Sequence, residues 1–128
     1  MNKKIYKNLY IFFSILFIFL ILFSTNNLHA KNYKVKNIKI ITPYNLDFKK
    51  DAVMDKAFSS AFELLMLKIL NTKDFEKVEL TRLNVIKDMI ISFEIIDEKF
   101  VNENYSASIN VLFDKKKILS FLDKQNLI

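Results

Sequence analysis

The sequence predicts an α+β domain in which helices cover one face of a small sheet of about three strands, antiparallel or mixed. Three observations support this fold. A long segment in the middle of the chain has apolar residues at helical spacing, one segment before it alternates apolar and polar residues, and two segments after it do the same. The 128 residues contain one proline, which leaves room for a single domain of modest core. The predicted order is β-α-α-β-β-α, after an N-terminal signal helix.

The first strand and the long helix have the clearest patterns. In "YKVKNIKIIT", apolar residues alternate with lysines apart from a slip at Asn37, which predicts a strand with a bulge. Pro43 ends this strand. A wide apolar stripe then predicts a helix from Asp51 to Leu70, with Asp47 or Asp51 as its N-cap.

The second half of the chain predicts a short helical segment, a hairpin and a final helix. The apolar positions of the helical segment are Phe75, Val78, Leu80, Leu83 and Ile86. "MIISFEIIDEKF" and "NYSASINVLFD" both alternate and should pair as a hairpin, with Asn102 or Asn104 in a left-handed conformation at the turn because no glycine is present. Asp114 can cap the final helix, whose inward residues are expected to be Ile118, Leu119 and Leu122.

Residues 1–30 predict an export signal. Three lysines, Lys3, Lys4 and Lys7, lie near the start, an almost unbroken apolar stretch runs from Leu9 to Phe23, and the segment ends in "STNNLHA". Cleavage after Ala30 would release residues 31–128 as a single periplasmic or secreted domain. The alternative is an uncleaved single-pass anchor in the inner membrane, with membrane contact through Leu9 to Phe23 and the domain outside the cytoplasm.

The charge of the chain favours no particular anionic partner. The formal net charge is +6, and removal of residues 1–30 takes away three lysines, which leaves 17 basic against 14 acidic residues, or +3. The lysines of "KNYKVKNIK" could meet lipid head groups, lipopolysaccharide or nucleic acid. Alternating lysines also protect an exposed strand edge from aggregation, and we favour this interpretation. The export signal argues against nucleic acid as a partner.

The absence of several residue types excludes many kinds of active site. The chain has no cysteine and no glycine, and its single histidine, His29, lies in the segment predicted to be removed. Ser/His/Asp and Cys/His arrangements, typical zinc sites and glycine-rich phosphate loops are therefore excluded. We expect no catalytic residue, no metal and no cofactor, although chemistry that uses carboxylates alone stays open.

The carboxylate pair in "EIIDEKF" is the remaining candidate for chemistry. Adjacent residues of a strand project to opposite faces, so Asp97 and Glu98 cannot grip one ion or flank one bond together. We expect them to be solvated charges at the end of a strand. A metal or acid/base role would require another carboxylate brought in by folding.

Two classes of function stay open. The favoured one is a binding or scaffolding module of the bacterial cell envelope, in which an exposed sheet edge or an uncovered face meets another protein by strand addition. Ile90, Ile96 and Leu112 are candidates for that face, and the alternative is that residues 71–88 bury them.

The second class is a periplasmic carrier of a small apolar or lipid ligand. Its pocket would open within the phenylalanine-rich core, and the alternative is that these side chains simply fill that core. The residues concerned are Phe58, Phe62, Phe93 and Phe113.

Three motifs of the second half also carry a resemblance. "ISFEIIDE", "YSASINVLFD" and "ILSFL" follow an export signal and a long helix in that order. Together they resemble a family of small exported proteins, best known from Gram-negative bacteria, whose function is undefined. The shared elements fall at Phe93 to Glu98, Tyr105 to Asp114 and Ile118 to Leu122. The resemblance implies an envelope protein and adds no catalytic residue.

Overall fold

The structure is a computed structural model that describes residues 31–128. The export signal or anchor predicted for residues 1–30 lies outside the described residues. The elements, in chain order, are β1 (Tyr33–Pro43), α1 (Lys50–Ile69), α2 (Thr72–Phe75), α3 (Leu83–Asp88), β2 (Ile90–Val101), β3 (Asn104–Phe113) and α4 (Lys115–Lys124). The predicted α+β fold and the order β-α-α-β-β-α are confirmed, and the second helical segment consists of two short helices, α2 and α3.

The three strands form an antiparallel sheet in the order β1-β3-β2, so β3 is the central strand. Alternate residues of β3 are buried against the helices, namely Tyr105, Ala107, Ile109, Val111 and Phe113. The residues between them are only partly buried and face the other side of the sheet, which we call the open face. They are Ser106, Ser108, Asn110 and Leu112. Helices therefore cover one face of the sheet, as predicted from the alternation.

Helix α1 supplies the largest share of the core opposite the sheet. Its buried residues recur at helical spacing and are Val53, Met54, Ala57, Phe58, Ala61, Phe62, Leu65 and Met66. The predicted aspartate caps are wrong. Lys49 holds the N-cap position without a side-chain hydrogen bond, and Asp51 lies in the first turn. There its negative charge is placed favourably for the helix dipole.

A bulge in β1 keeps the apolar residues of that strand on the helix side. The register shifts between Val35 and Ile38, and both side chains are buried. Asn37 has a φ of 58° and donates its backbone N–H to Oδ1 of Asn110 at 3.0 Å. Asparagine tolerates this left-handed conformation better than most residues. The predicted bulge is confirmed.

The turn between β2 and β3 consists of Asn102 and Glu103, which have φ angles of 49° and 59°. Two consecutive left-handed residues match the twist of a two-residue hairpin. Asn102 was one of the two residues expected there, and Asn104 instead begins β3 opposite Val101. The backbone N–H of Tyr44 donates to the carbonyl of Glu103 at 2.7 Å and ties this turn to the end of β1.

Helix α4 begins at the predicted cap. Oδ1 of Asp114 accepts hydrogen bonds from the backbone N–H groups of Lys116 at 2.8 Å and Lys117 at 3.2 Å. Ile118 and Leu122 are fully buried. Leu119, expected to face inward, is only partly buried.

Candidate functional site

Strand β2 is the most exposed of the three strands. In the order β1-β3-β2, both β1 and β2 are edge strands. Among residues 31–128, the backbone hydrogen bonds of β2 go to β3, and no loop or helix pairs with the backbone of Ile91–Val101. The outward N–H and C=O groups of this strand therefore form a template on which another strand can pair.

Apolar side chains accompany this open backbone. We name the segment Ile91–Val101 the β2 edge. Five of its six large apolar residues are 48–58% exposed, namely Ile91, Phe93, Ile96, Phe100 and Val101, and the sixth, Ile95, packs against the core. Half-buried apolar side chains along an unpaired strand are what a bound strand would cover.

The β1 edge has the opposite character. Lys34, Lys36 and Lys39 are exposed along it, a bulge interrupts it at Asn37, and Pro43 ends it. Lysines and proline each discourage a second strand from pairing, whereas bulges occur on both edges. An exposed apolar side chain, Ile41, lies near its end. The two edges are thus chemically unequal, and the β2 edge is the one suited to a partner.

Two irregularities shape the β2 edge. The register with β3 shifts between Ile90 and Ser92 and again between Ile95 and Asp97, so Ile91 and Ile96 have no partner residue across the ladder. The extra residue of a bulge bends its strand and redirects its side chain. Both isoleucines are about half exposed at these bulges.

The three residues proposed from the sequence are not brought together. Ile90 pairs with Phe113 and packs against the core, so its assignment to an outer face is wrong. Leu112 lies on the open face of the sheet opposite Ser92. Ile96 lies about four residues further along the sheet, roughly 13 Å away. The buried members of residues 71–88, Val78 and Ile86, join the core on the helix side, where Ile90 also packs, and do not lie on the face of Leu112.

The carboxylates of Asp97 and Glu98 point to opposite faces, as the alternation predicted. Asp97 is opposite Ser108 on the open face and forms an ion pair with Lys99 at 2.9 Å. Glu98 is opposite Ala107 on the helix side. The two side chains therefore do not share a ligand.

Glu98 is more than a solvated charge, which corrects the expectation from sequence. Its Oε1 accepts hydrogen bonds from Nζ of Lys50 at 2.6 Å and from the Tyr105 hydroxyl at 2.7 Å. The hydrogen bond from Lys50 has the larger effect and the bond from Tyr105 adds to it. Together they hold the pKa of the Glu98 carboxyl below its usual value. Burial and the Glu98 carboxylate raise the pKa of Tyr105 to about 12. This cluster ties the start of α1 to β2 and β3.

Four aromatic rings surround the same end of the sheet. The ring of Tyr44 lies 4.9 Å from those of Phe48 and Phe100, and the ring of Tyr105 lies 5.0 Å from Phe48 and 5.1 Å from Phe100. Tilted and edge-on contacts at these distances are favourable. Phe100 thus packs against two tyrosine rings although more than half of its surface is exposed.

The phenylalanines proposed to line a ligand pocket pack mainly on one another. Phe58, Phe62 and Phe113 are buried, and the Phe62 and Phe113 rings are 6.5 Å apart. Phe93 is half exposed at the β2 edge, with its ring 5.2 Å from that of Phe58. A groove lies elsewhere, beside α3 and α4.

Two features are absent from residues 31–128. No three carboxylate, histidine or cysteine side chains in this range gather where a metal ion could be held. None of its helices has the length and apolar composition needed to cross a membrane.

Comparisons of the chain with protein-family models, with curated proteins and with solved structures gave no match. The resemblance of its motifs to a family of small exported proteins stays a prediction.

Proposed function

We propose that the protein is an exported, non-catalytic binding module of the bacterial cell envelope, which holds an extended segment of a partner protein along the β2 edge. One observation carries the proposal. The β2 edge combines an unpaired backbone with half-exposed apolar side chains, whereas the β1 edge carries exposed lysines and ends in proline. The basic start and apolar stretch of residues 1–30 support export.

Strand addition gives affinity through the backbone and specificity through alternate side chains. Phe93 and Phe100 offer two half-exposed rings on the helix side of the strand, opposite Val111 and Tyr105. Glu94, Asp97 and Lys99 lie on the open side. A partner segment with apolar residues at alternate positions would cover the rings and leave its polar residues beside these charges.

The proposal is tested by crosslinking in the cells that make the protein. A photoreactive amino acid replaces Glu94 on β2 in one strain and Lys39 on β1 in another. Both positions are exposed on outer strands and pair with β3 on the open face, so they are matched. We expect a discrete crosslinked protein from position 94 only. Equal crosslinking from both positions, or none from position 94, contradicts the proposal.

Export is tested separately by mass spectrometry of the periplasmic, inner-membrane and cytoplasmic fractions. A mature N-terminus at Lys31 in the periplasmic fraction is the expected result. An intact Met1 in the inner-membrane fraction would support the anchor, and an intact Met1 in the cytoplasm would contradict export. This result is independent of the crosslinking result.

A further inference from the structure

A groove of about 710 Å³ opens beside α3 and α4, away from the β2 edge. Four apolar residues line it, and we call them its floor: Leu80, Val85, Met89 and Phe121. Leu80 is 91% exposed, in the turn that precedes α3. The volume lies within the range of about 300–1,000 Å³ that is typical of small-ligand sites.

The rim of the groove is strongly basic. Its basic residues are Lys77, Arg82, Lys116, Lys117 and Lys124, against one acid, Asp88. Lys117 donates to the Asp88 carbonyl at 2.6 Å, and Lys77 donates to Asp74 at 3.1 Å. Among residues 31–128, Arg82, Lys116 and Lys124 form no ion pair.

We propose that this groove binds a free fatty acid. The acyl chain would lie on the apolar floor, and the carboxylate would be held at the basic rim. Arg82 can donate two parallel N–H hydrogen bonds to such a carboxylate. The charge of the ligand thus complements the rim, and its chain complements the floor.

A peptide fits the groove less well, because its backbone N–H and C=O groups would need partners when buried. The neutral polar side chains of the lining are Thr81, Ser120 and Gln125, and the Thr81 hydroxyl already donates to the Val78 carbonyl at 2.6 Å. An acyl chain needs no such partners. A flat membrane surface would meet the rim but would not fill the concave floor.

The test uses the full chain and a photoreactive fatty acid with a diazirine in its acyl chain, and mass spectrometry locates the label. We expect label on the segment from Leu80 to Met89 and on Phe121, with competition by unlabelled dodecanoate. The methyl ester of the same probe has no charge and should label these positions at least about tenfold less, because charge-assisted hydrogen bonds are lost. Label confined to other positions, including residues 1–30, or equal labelling by the ester, would overturn the proposal.

Variants make the test specific to the rim. The double variant Arg82→Glu, Lys116→Glu should lose most of the groove label, whereas the control Lys36→Glu, at an exposed lysine of β1, should keep it. All three side chains are exposed, so the variants are expected to fold, and thermal unfolding checks this. Groove label that persists in a folded double variant would overturn the proposal, as would competition by an acidic peptide and not by dodecanoate.

Discussion

Replacement of Ile96 by lysine should weaken partner binding along the β2 edge while the fold stays intact. Ile96 is 50% exposed at a bulge and has no partner residue in β3. Full burial of an isoleucine side chain contributes about 1.5–3 kcal/mol, so covering the exposed half contributes about 0.8–1.5 kcal/mol. Loss of this contribution corresponds to an affinity for the partner about 4- to 13-fold lower. The buried charge would lower the affinity further.

The matched control is Ile41→Lys, which makes the same change on the opposite edge of the sheet, at a side chain that is 70% exposed. The assay is the yield of the crosslinked partner from position 94, with urea unfolding of each variant. We expect each free energy of unfolding to change by less than about 1 kcal/mol, because the lysine stem can retain part of the apolar contact. Equal loss of crosslinking in both variants, or no loss in Ile96→Lys, would refute the role of the β2 edge.

Three further changes test the fold around the site. Asp114→Ala should lower the free energy of unfolding by about 0.5–2 kcal/mol in urea, because α4 loses its N-cap, and Asp114→Asn should retain most of it; equal losses would refute the capping role. Asn37→Ala should destabilise the bulge by about 1–2 kcal/mol and Asn37→Gly should not, because alanine resists a positive φ; a tolerated alanine would contradict this account. The pKa of Tyr105 rises from 10.0 to about 12 on folding, so this group stabilises the fold below pH 10 and the contribution is lost as the pH rises to 12. Urea unfolding at pH 9 and pH 12 should show that Tyr105→Phe lacks this decline, and an equal decline in both proteins would refute it.

Local features of the fold could be predicted from the sequence because short-range chemistry determines them. The slip at Asn37 interrupts a two-residue repeat, so it indicates a bulge without knowledge of any partner strand. Asn102 is a residue that tolerates the turn conformation, and Asp114 directly precedes a helical pattern. The prediction of Asp47 or Asp51 as the N-cap of α1 is wrong, because an aspartate near a helix start does not show where the first turn begins.

The candidate site could not be predicted as fully, because it depends on contacts distant in sequence. Alternation in β2 gives two faces, but only the strand order shows that β2 is an edge. The bulge at Ile91 shifts the faces, so Ile90, proposed for an outer face, packs against the core. Glu98 meets Lys50, which lies 48 residues earlier. In the sequence, two apolar residues, Phe100 and Val101, directly precede the predicted turn. They were the signal that could have indicated an exposed apolar edge.

Hydrogen exchange tests strand addition most directly. The amides of the protein alone are compared with those of the complex recovered by crosslinking from position 94. A paired strand protects outward amides of the strand that it joins. We expect slower exchange in the β2 edge on partner binding and no change in β1. Unchanged exchange throughout Ile91–Val101 in the bound protein would contradict strand addition at this edge.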